Sequence, residues 1–268
     1  MAASVLGRHR LCAEAIVLVA AATAFAAARS ADAASTPAIS ITTKAIELTV
    51  TIDSTLRLYP WLYDNLFAEA RHDSAKWHAD AEAANPSLRE RSRWFHARNY
   101  TLRSVVAQHY VSILRVDDTY EGGAHPNSVV NTILWDAWAR KRISIRPFFL
   151  EAVDNGPTMT VLATSIRAAL VKERRARGAE VADDPDKDPW LASIKPHILN
   201  LGPVTLAPST ENGKSSGLTF HFSPYAAGAY AEGSYTAFVP WTDFKAFLSP
   251  AGVSVFDGER PTQDAEKD

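Results

Sequence analysis

The chain has 268 residues, 28 Lys and Arg against 30 Asp and Glu, a formal net charge of -2, 47% hydrophobic residues and one cysteine. Such a composition excludes the collagen-like, disulfide-scaffold and wholly disordered classes. Without a basic footprint it also excludes a dedicated nucleic-acid binder. The length admits one or two domains.

The first segment reads as an address. Arg8, His9 and Arg10 precede a mostly apolar stretch over residues 11–28, and Ala-x-Ala sites follow at 26–28 and 31–33. This order of charge, apolar stretch and small residues is the secretory signal pattern. Glu14 limits the uninterrupted apolar run to residues 15–28, short of the roughly 20 residues of a transmembrane helix. Residues 1–33 are therefore expected to be a signal peptide, and the protein periplasmic or secreted. An uncleaved segment would be its only membrane attachment. Cys12 lies inside this segment, so a cleaved chain would contain no cysteine.

From Ile46 the pattern alternates, with Ile46, Leu48, Val50 and Ile52 against Glu47, Thr49 and Thr51. That predicts a half-buried strand. Pro60 suits the first turn of a helix, and Leu62, Leu66, Ala70, Trp77, Ala81 and Ala84 recur at helical spacing up to Asn85-Pro86. A short second helix is expected over 87–98. Rising β-branched content over 100–119 predicts one long or bulged strand. A Glu121-Gly122-Gly123 turn and a strand over 128–136 follow, with a hairpin tip at Arg140-Lys141-Arg142.

Gly156-Pro157-Thr158 opens a helix whose last turns carry Arg174, Arg175 and Arg177, with Gly178 as its stop. The cations suit the helix dipole; a phosphate or polysaccharide patch is the alternative. Residues 181–188 form an acidic connector. Strands at 204–206 and 218–222 flank Asn212-Gly213, a strong turn pair. Another strand spans 235–239, Thr242 is the expected cap of a short helix, and 257–268 reads as a disordered tail. Strands and helices mix without regular alternation, which predicts an α+β fold of antiparallel sheets with packed helices.

No Gly-x-Ser-x-Gly elbow, phosphate-cradling loop or His-Glu-x-x-His pair is present. Asp184-x-Asp186-x-Asp188 starts like a calcium loop, but Pro189 and Lys195 occupy the positions that need Gly and Glu. No metal and no cofactor is expected. Two loops stand out instead. Tyr120-Glu121-Gly122-Gly123-Ala124-His125-Pro126-Asn127 is either a rigid loop presenting Tyr120, His125 and Asn127 or a purely structural turn. In residues 222–233, Tyr225 and Tyr230 alternate with small residues; they form a recognition surface or plug a sheet end.

Together these loops, with Phe148-Phe149, Phe222-Ser223-Pro224-Tyr225, Tyr230-Ala231-x-Gly233 and Val239-Pro240-Trp241, resemble the family called domain of unknown function 3298 (DUF3298). The family includes the extracytoplasmic C-terminal module of RsiV-type anti-sigma factors. Residues 39–135 look like the PdaC-type domain that commonly precedes it. The resemblance implies a PdaC-like α+β region at 34–135 and an RsiV-like α+β region at 136–256. RsiV-type proteins bind lysozyme, so it also implies a non-enzymatic envelope protein whose partner is a lysozyme-like protein or cell-wall glycan. The candidate binding residues are Tyr120, His125, Asn127, His221, Tyr225 and Tyr230. The chain departs from an anti-sigma factor in having only about ten residues ahead of the apolar segment, and it lacks PdaC's catalytic domain. The alternative is a peptidoglycan hydrolase or deacetylase-like enzyme whose acid–base groups would be Glu121, His125, His221 and Glu232.

Overall fold

The structure, a computed structural model, describes residues 36–84 and 93–265. The expected signal segment and the start of the expected second helix lie outside the described residues. The alternation at 46–52 forms β2 (Ile46–Ile52), with its four apolar side chains buried. On one side it pairs antiparallel with β1 (Ile39–Thr42). On the other it pairs in parallel with β3 (Trp94–Val106). A parallel pair needs a crossover, and α1 (Pro60–Ala84) supplies it. Leu62, Leu66 and Ala70, four residues apart, put one stripe of α1 fully into the core beside β2.

β3 then runs antiparallel to β4 (Tyr110–Tyr120), followed by β5 (Asn127–Asp136) and β6 (Lys141–Ile143). The sheet order is β1-β2-β3-β4-β5-β6.

Three sequence expectations change here. Residues 94–98 are strand rather than helix, because β2 pairs there, Ile46 with Trp94 and Leu48 with His96. Residues 100–119 form a hairpin rather than one strand. Its turn is Ala107-Gln108, with φ of 48° and 63°; tight hairpins need such left-handed residues, and no glycine advertises them. The bulge is real and lies between Leu102 and Ser104. The next tip sits one turn earlier than expected. Asp136 Oδ1 accepts the N–H groups of Trp138 (2.9 Å) and Ala139 (3.0 Å), so Lys141 and Arg142 already belong to β6.

A second, three-stranded antiparallel sheet contains β7 (Val204–Leu206), β8 (Gly217–Phe222) and β9 (Tyr235–Pro240). α2 (Pro157–Ala176) packs on it through Met159, Leu162, Ile166 and Leu170. Hydroxyls of the first sheet fasten β7. The Ser104 hydroxyl donates to the Leu206 carbonyl (2.6 Å), Ser112 Oγ accepts the Leu206 N–H (3.0 Å), and Thr132 Oγ1 accepts the Val204 N–H (2.9 Å). The backbone groups of a short edge strand thus find partners without water. The architecture is α+β, and its described strand pairs are antiparallel except β2–β3.

The C-terminal elements are short. α3 (Trp241–Phe244) follows Pro240 without a side-chain cap, so Thr242 lies inside the helix rather than at its cap. α4 (Pro250–Val255) is capped by Ser249, whose Oγ accepts the Gly252 N–H. The segment read as a disordered tail carries α5 (Thr262–Ala265), where buried Asp264 pairs with Arg103 at 3.0 Å and Arg260 at 2.8 Å. No described helix is long and apolar enough to cross a membrane.

Candidate functional site

The β4–β5 loop, residues 121–126, is exposed throughout. His125 Nδ1–H donates to the Pro126 carbonyl at 2.8 Å. The Tyr230 hydroxyl, 104 residues away in sequence, donates to the same carbonyl at 2.6 Å. The His125 and Tyr230 rings stack, with centroids 4.0 Å apart, and Tyr225 lies 5.4 Å from Tyr230 and 6.4 Å from His125. A second tie holds the 222–233 loop to β5, from the Val130 N–H to Ser223 Oγ at 2.8 Å. Tyr225 is 54% exposed and has φ of 69°, a left-handed conformation that costs a non-glycine residue about 1–2 kcal/mol. The two loops singled out in the sequence thus build one aromatic surface from His125, Tyr225 and Tyr230.

Tyr120 and Asn127 stand at the base of that surface. Tyr120 pairs with Phe95 at the end of β4, and Asn127 with Thr119 at the start of β5. His221 does not join them. It is buried in β8, with Thr205 Oγ1 at 3.0 Å from its Nε2. Burial first, then the nearby Arg103 and Arg260 guanidiniums, push its pKa down to about 4.

The four alternative acid–base groups each have a partner of their own. Glu121 meets His96 at 3.1 Å, His125 is tied to the Pro126 carbonyl, and His221 faces Thr205. Glu232 accepts from the Tyr235 hydroxyl at 2.6 Å and lies 3.6 Å from Arg174 Nε. The Tyr235 bond above all holds the Glu232 carboxyl below the ordinary carboxylate range, which makes it a poor general acid near neutrality.

Two of the three arginines in the basic run that ends α2 are also committed. Arg174 is buried against Asp188 at 3.1 Å, and Arg177 donates to the carbonyls of Glu232 and Ser234. Asp188 accepts the N–H groups of Trp190 and Leu191. The calcium-like triplet therefore ends in a residue that fastens the connector to α2. Among the described residues no group of three or more His, Cys, Asp or Glu could hold a metal ion.

One constellation was missed in the sequence. Under the second half of α1, buried Arg98 on β3 pairs with Asp117 on β4, donates to Asp73 at 2.7 Å and stacks on Trp77, 4.6 Å from its ring centroid. Glu69 accepts from the Tyr100 hydroxyl and from Arg115, both at 2.9 Å. Burial favours neutral Glu69, but Tyr100, Arg142 and Arg115 outweigh it and keep its carboxyl below the ordinary range. The only sequence signal was the parity of His96, Arg98 and Tyr100, which continues the buried register of β2 across the sheet. An apolar groove of about 390 Å³ lies elsewhere, between Leu134, Ile145, Leu201 and Phe220, with Arg146 and Asp154 also in its lining.

No protein-family model matches this chain, and no curated protein matches it either. Solved structures do. A DUF3298 family protein from Pseudomonas aeruginosa PAO1 is 16% identical, covers 82% of this chain and 91% of its own, and superposes with a TM-score of 0.52. A DUF3298 family member from Bacteroides fragilis NCTC 9343 is 14% identical over 75% of this chain and 73% of its own, with a TM-score of 0.46. The molecule therefore belongs to the class of two-sheet α+β proteins. Within that class it shares the fold of the Pseudomonas DUF3298 protein.

Proposed function

We propose that this chain is a periplasmic or secreted, non-enzymatic binding protein of the cell envelope, of the DUF3298 kind. It captures a lysozyme-like protein through the surface made by His125, Tyr225 and Tyr230. The observation that carries this reading is Tyr225. An aromatic ring held more than half exposed, on a left-handed backbone, is a strained feature that packing alone does not require. Aromatic anchors set in a rigid frame carry most of the energy of protein interfaces. The DUF3298 resemblance and the signal-like start of the sequence support a partner outside the cytoplasm.

Calorimetric titration of the protein with lysozyme, at low and physiological salt, tests the reading. A specific contact survives salt, whereas attraction of exposed charges is largely screened. Tyr225→Ala and His125→Ala are each expected to weaken binding by about tenfold or more. Absence of salt-resistant binding removes lysozyme as the partner and leaves the fold standing.

A further inference from the structure

The opposite end of β4 carries a second aromatic surface, made of residues that the loop cluster does not use. Trp138 is 74% exposed and Trp61 is 59% exposed. A large apolar side chain left this open is informative when its geometry is fixed, and here it is fixed several times. The Trp138 indole lies flat on His109, with centroids 3.6 Å apart and planes 5° apart. His109 is itself buried, and its Nδ1–H donates to the Ala107 carbonyl at 2.7 Å. The turn carrying Trp138 is pinned by Asp136 and by the bond from the Ala137 N–H to the His109 carbonyl at 2.9 Å. Arg140, in the same turn, has φ of 52° and sets its guanidinium 4.6 Å from the ring centroid of Trp61.

The inner face of Trp138 is thus occupied by imidazole and its outer face is left to solvent. A flat, immobile π-face attracts the electropositive C–H groups on one side of a sugar ring, and little rotamer entropy remains to be lost on binding. Insertion into a lipid surface asks for a different arrangement, with free tryptophans projecting edge-on. Exposed Arg140 and Lys141 flank the rings; of the nearby acids, Asp136 is engaged by the N–H groups of its own turn, and Asp64 lies on α1 three residues from Trp61. Arg142, also exposed, is committed to Asn65 and Glu69.

We infer that this surface binds an acidic glycan. Sugar rings stack on Trp138 and Trp61, and Arg140 and Lys141 meet the glycan's carboxylates. The inference stands apart from the lysozyme reading, because the two surfaces sit at opposite ends of the same strand.

The test titrates the full chain with a carboxylated oligosaccharide, tetragalacturonate, and with neutral chitotetraose. Tetragalacturonate is expected to bind at least about tenfold more tightly than the neutral probe, with salt-sensitive affinity. Trp138→Ala and Trp61→Ala should each reduce that binding about tenfold or more. Trp138→Phe keeps a flat ring over His109 and should restore part of it, which separates loss of the platform from loss of the turn. Tyr225→Ala should leave it unchanged. Binding that ignores both tryptophan substitutions, or no binding of either sugar, overturns the inference. So does tryptophan-dependent sedimentation with phosphatidylglycerol vesicles in the absence of sugar binding, which would make the surface a membrane contact instead.

Discussion

The two long helices cover their sheets by opposite means. Beneath α2 the contacts are apolar: Met159, Leu162, Ile166 and Leu170 share a core with Phe220, and phenyl rings meet edge to face, Phe148 on Phe256 at 5.8 Å and Phe244 on Phe256 at 5.1 Å. Beneath α1 the first turns are apolar, through Leu62 and Leu66, but further along the helix its own Glu69 and Asp73 close over Arg98 and Asp117 of the sheet. Apolar burial is non-directional and graded with the area removed from water. A buried ion network is directional, and each charge is tolerable only while its partners stay in place. One side of the molecule should therefore accept substitutions by size. The other should reject them by chemistry.

The largest effect expected is from Arg98→Ala. It leaves Asp117 buried without its main counter-charge, at a cost of about 3–5 kcal/mol, measurable by chemical denaturation. The sharper test uses mild changes. Arg98→Lys keeps the charge but loses the planar fork that reaches Asp117 and Asp73 together, and should cost about 2 kcal/mol or more. Phe220→Leu, on the other side, keeps an apolar chain in an apolar core and should cost less, about 1–1.5 kcal/mol. If Arg98→Lys is the milder of the two, the contrast between the halves fails.

Next comes the pH dependence, because each side buries a histidine. His221 titrates at about 4 when folded, against 6.5 when exposed. Between those values the unfolded chain binds the extra proton, so stability is full above about pH 6.5, falls as pH drops toward 4 and levels off below. At 1.36 kcal/mol per pH unit the loss is on the order of 3 kcal/mol. His96 is also lowered by burial, although Glu121 and Asp117 pull the other way. Unfolding midpoints measured from pH 7.5 to 4 should therefore show a slope that His221→Gln removes in larger part than His96→Gln.

The same contrast explains what could be read from the sequence. β2, α1, α2 and β8 were legible because apolar side chains mark their buried faces with a clean period. β3 was not, because its buried parity positions are His96, Arg98 and Tyr100. A pattern that equates polar with exposed reads such a strand as something else. The Ala107-Gln108 turn was hidden for a related reason, since left-handed φ was adopted by residues that rarely take it. Both loops of the aromatic surface were visible as unusual, through Gly122-Gly123, Pro126 and the spaced tyrosines. Their meeting was not, because a bond between residues 104 apart leaves no local trace. His221 alternates with Phe220 and Phe222, so it reads as a solvent-side residue. What surrounds it includes Asp264 of α5, part of a segment that looked like a tail.

The smallest effect on stability bears on the aromatic surface itself. Tyr225 holds φ of 69°, where glycine sits without strain. More than half of its ring is exposed, so little burial is lost when the ring is removed. Glycine relieves about 1 kcal/mol of backbone strain and adds a comparable entropy to the unfolded chain. Those two contributions offset, and Tyr225→Gly and Tyr225→Ala lose the same ring contacts with Tyr230 and His125, so each should unfold within about 0.5 kcal/mol of the parent. Binding should separate from stability here: both variants lose lysozyme affinity alike, about tenfold or more, while neither moves the unfolding midpoint far. Destabilisation of both by more than about 1 kcal/mol would mean that the ring was packing after all, and that the left-handed turn holds it for the fold rather than for a partner.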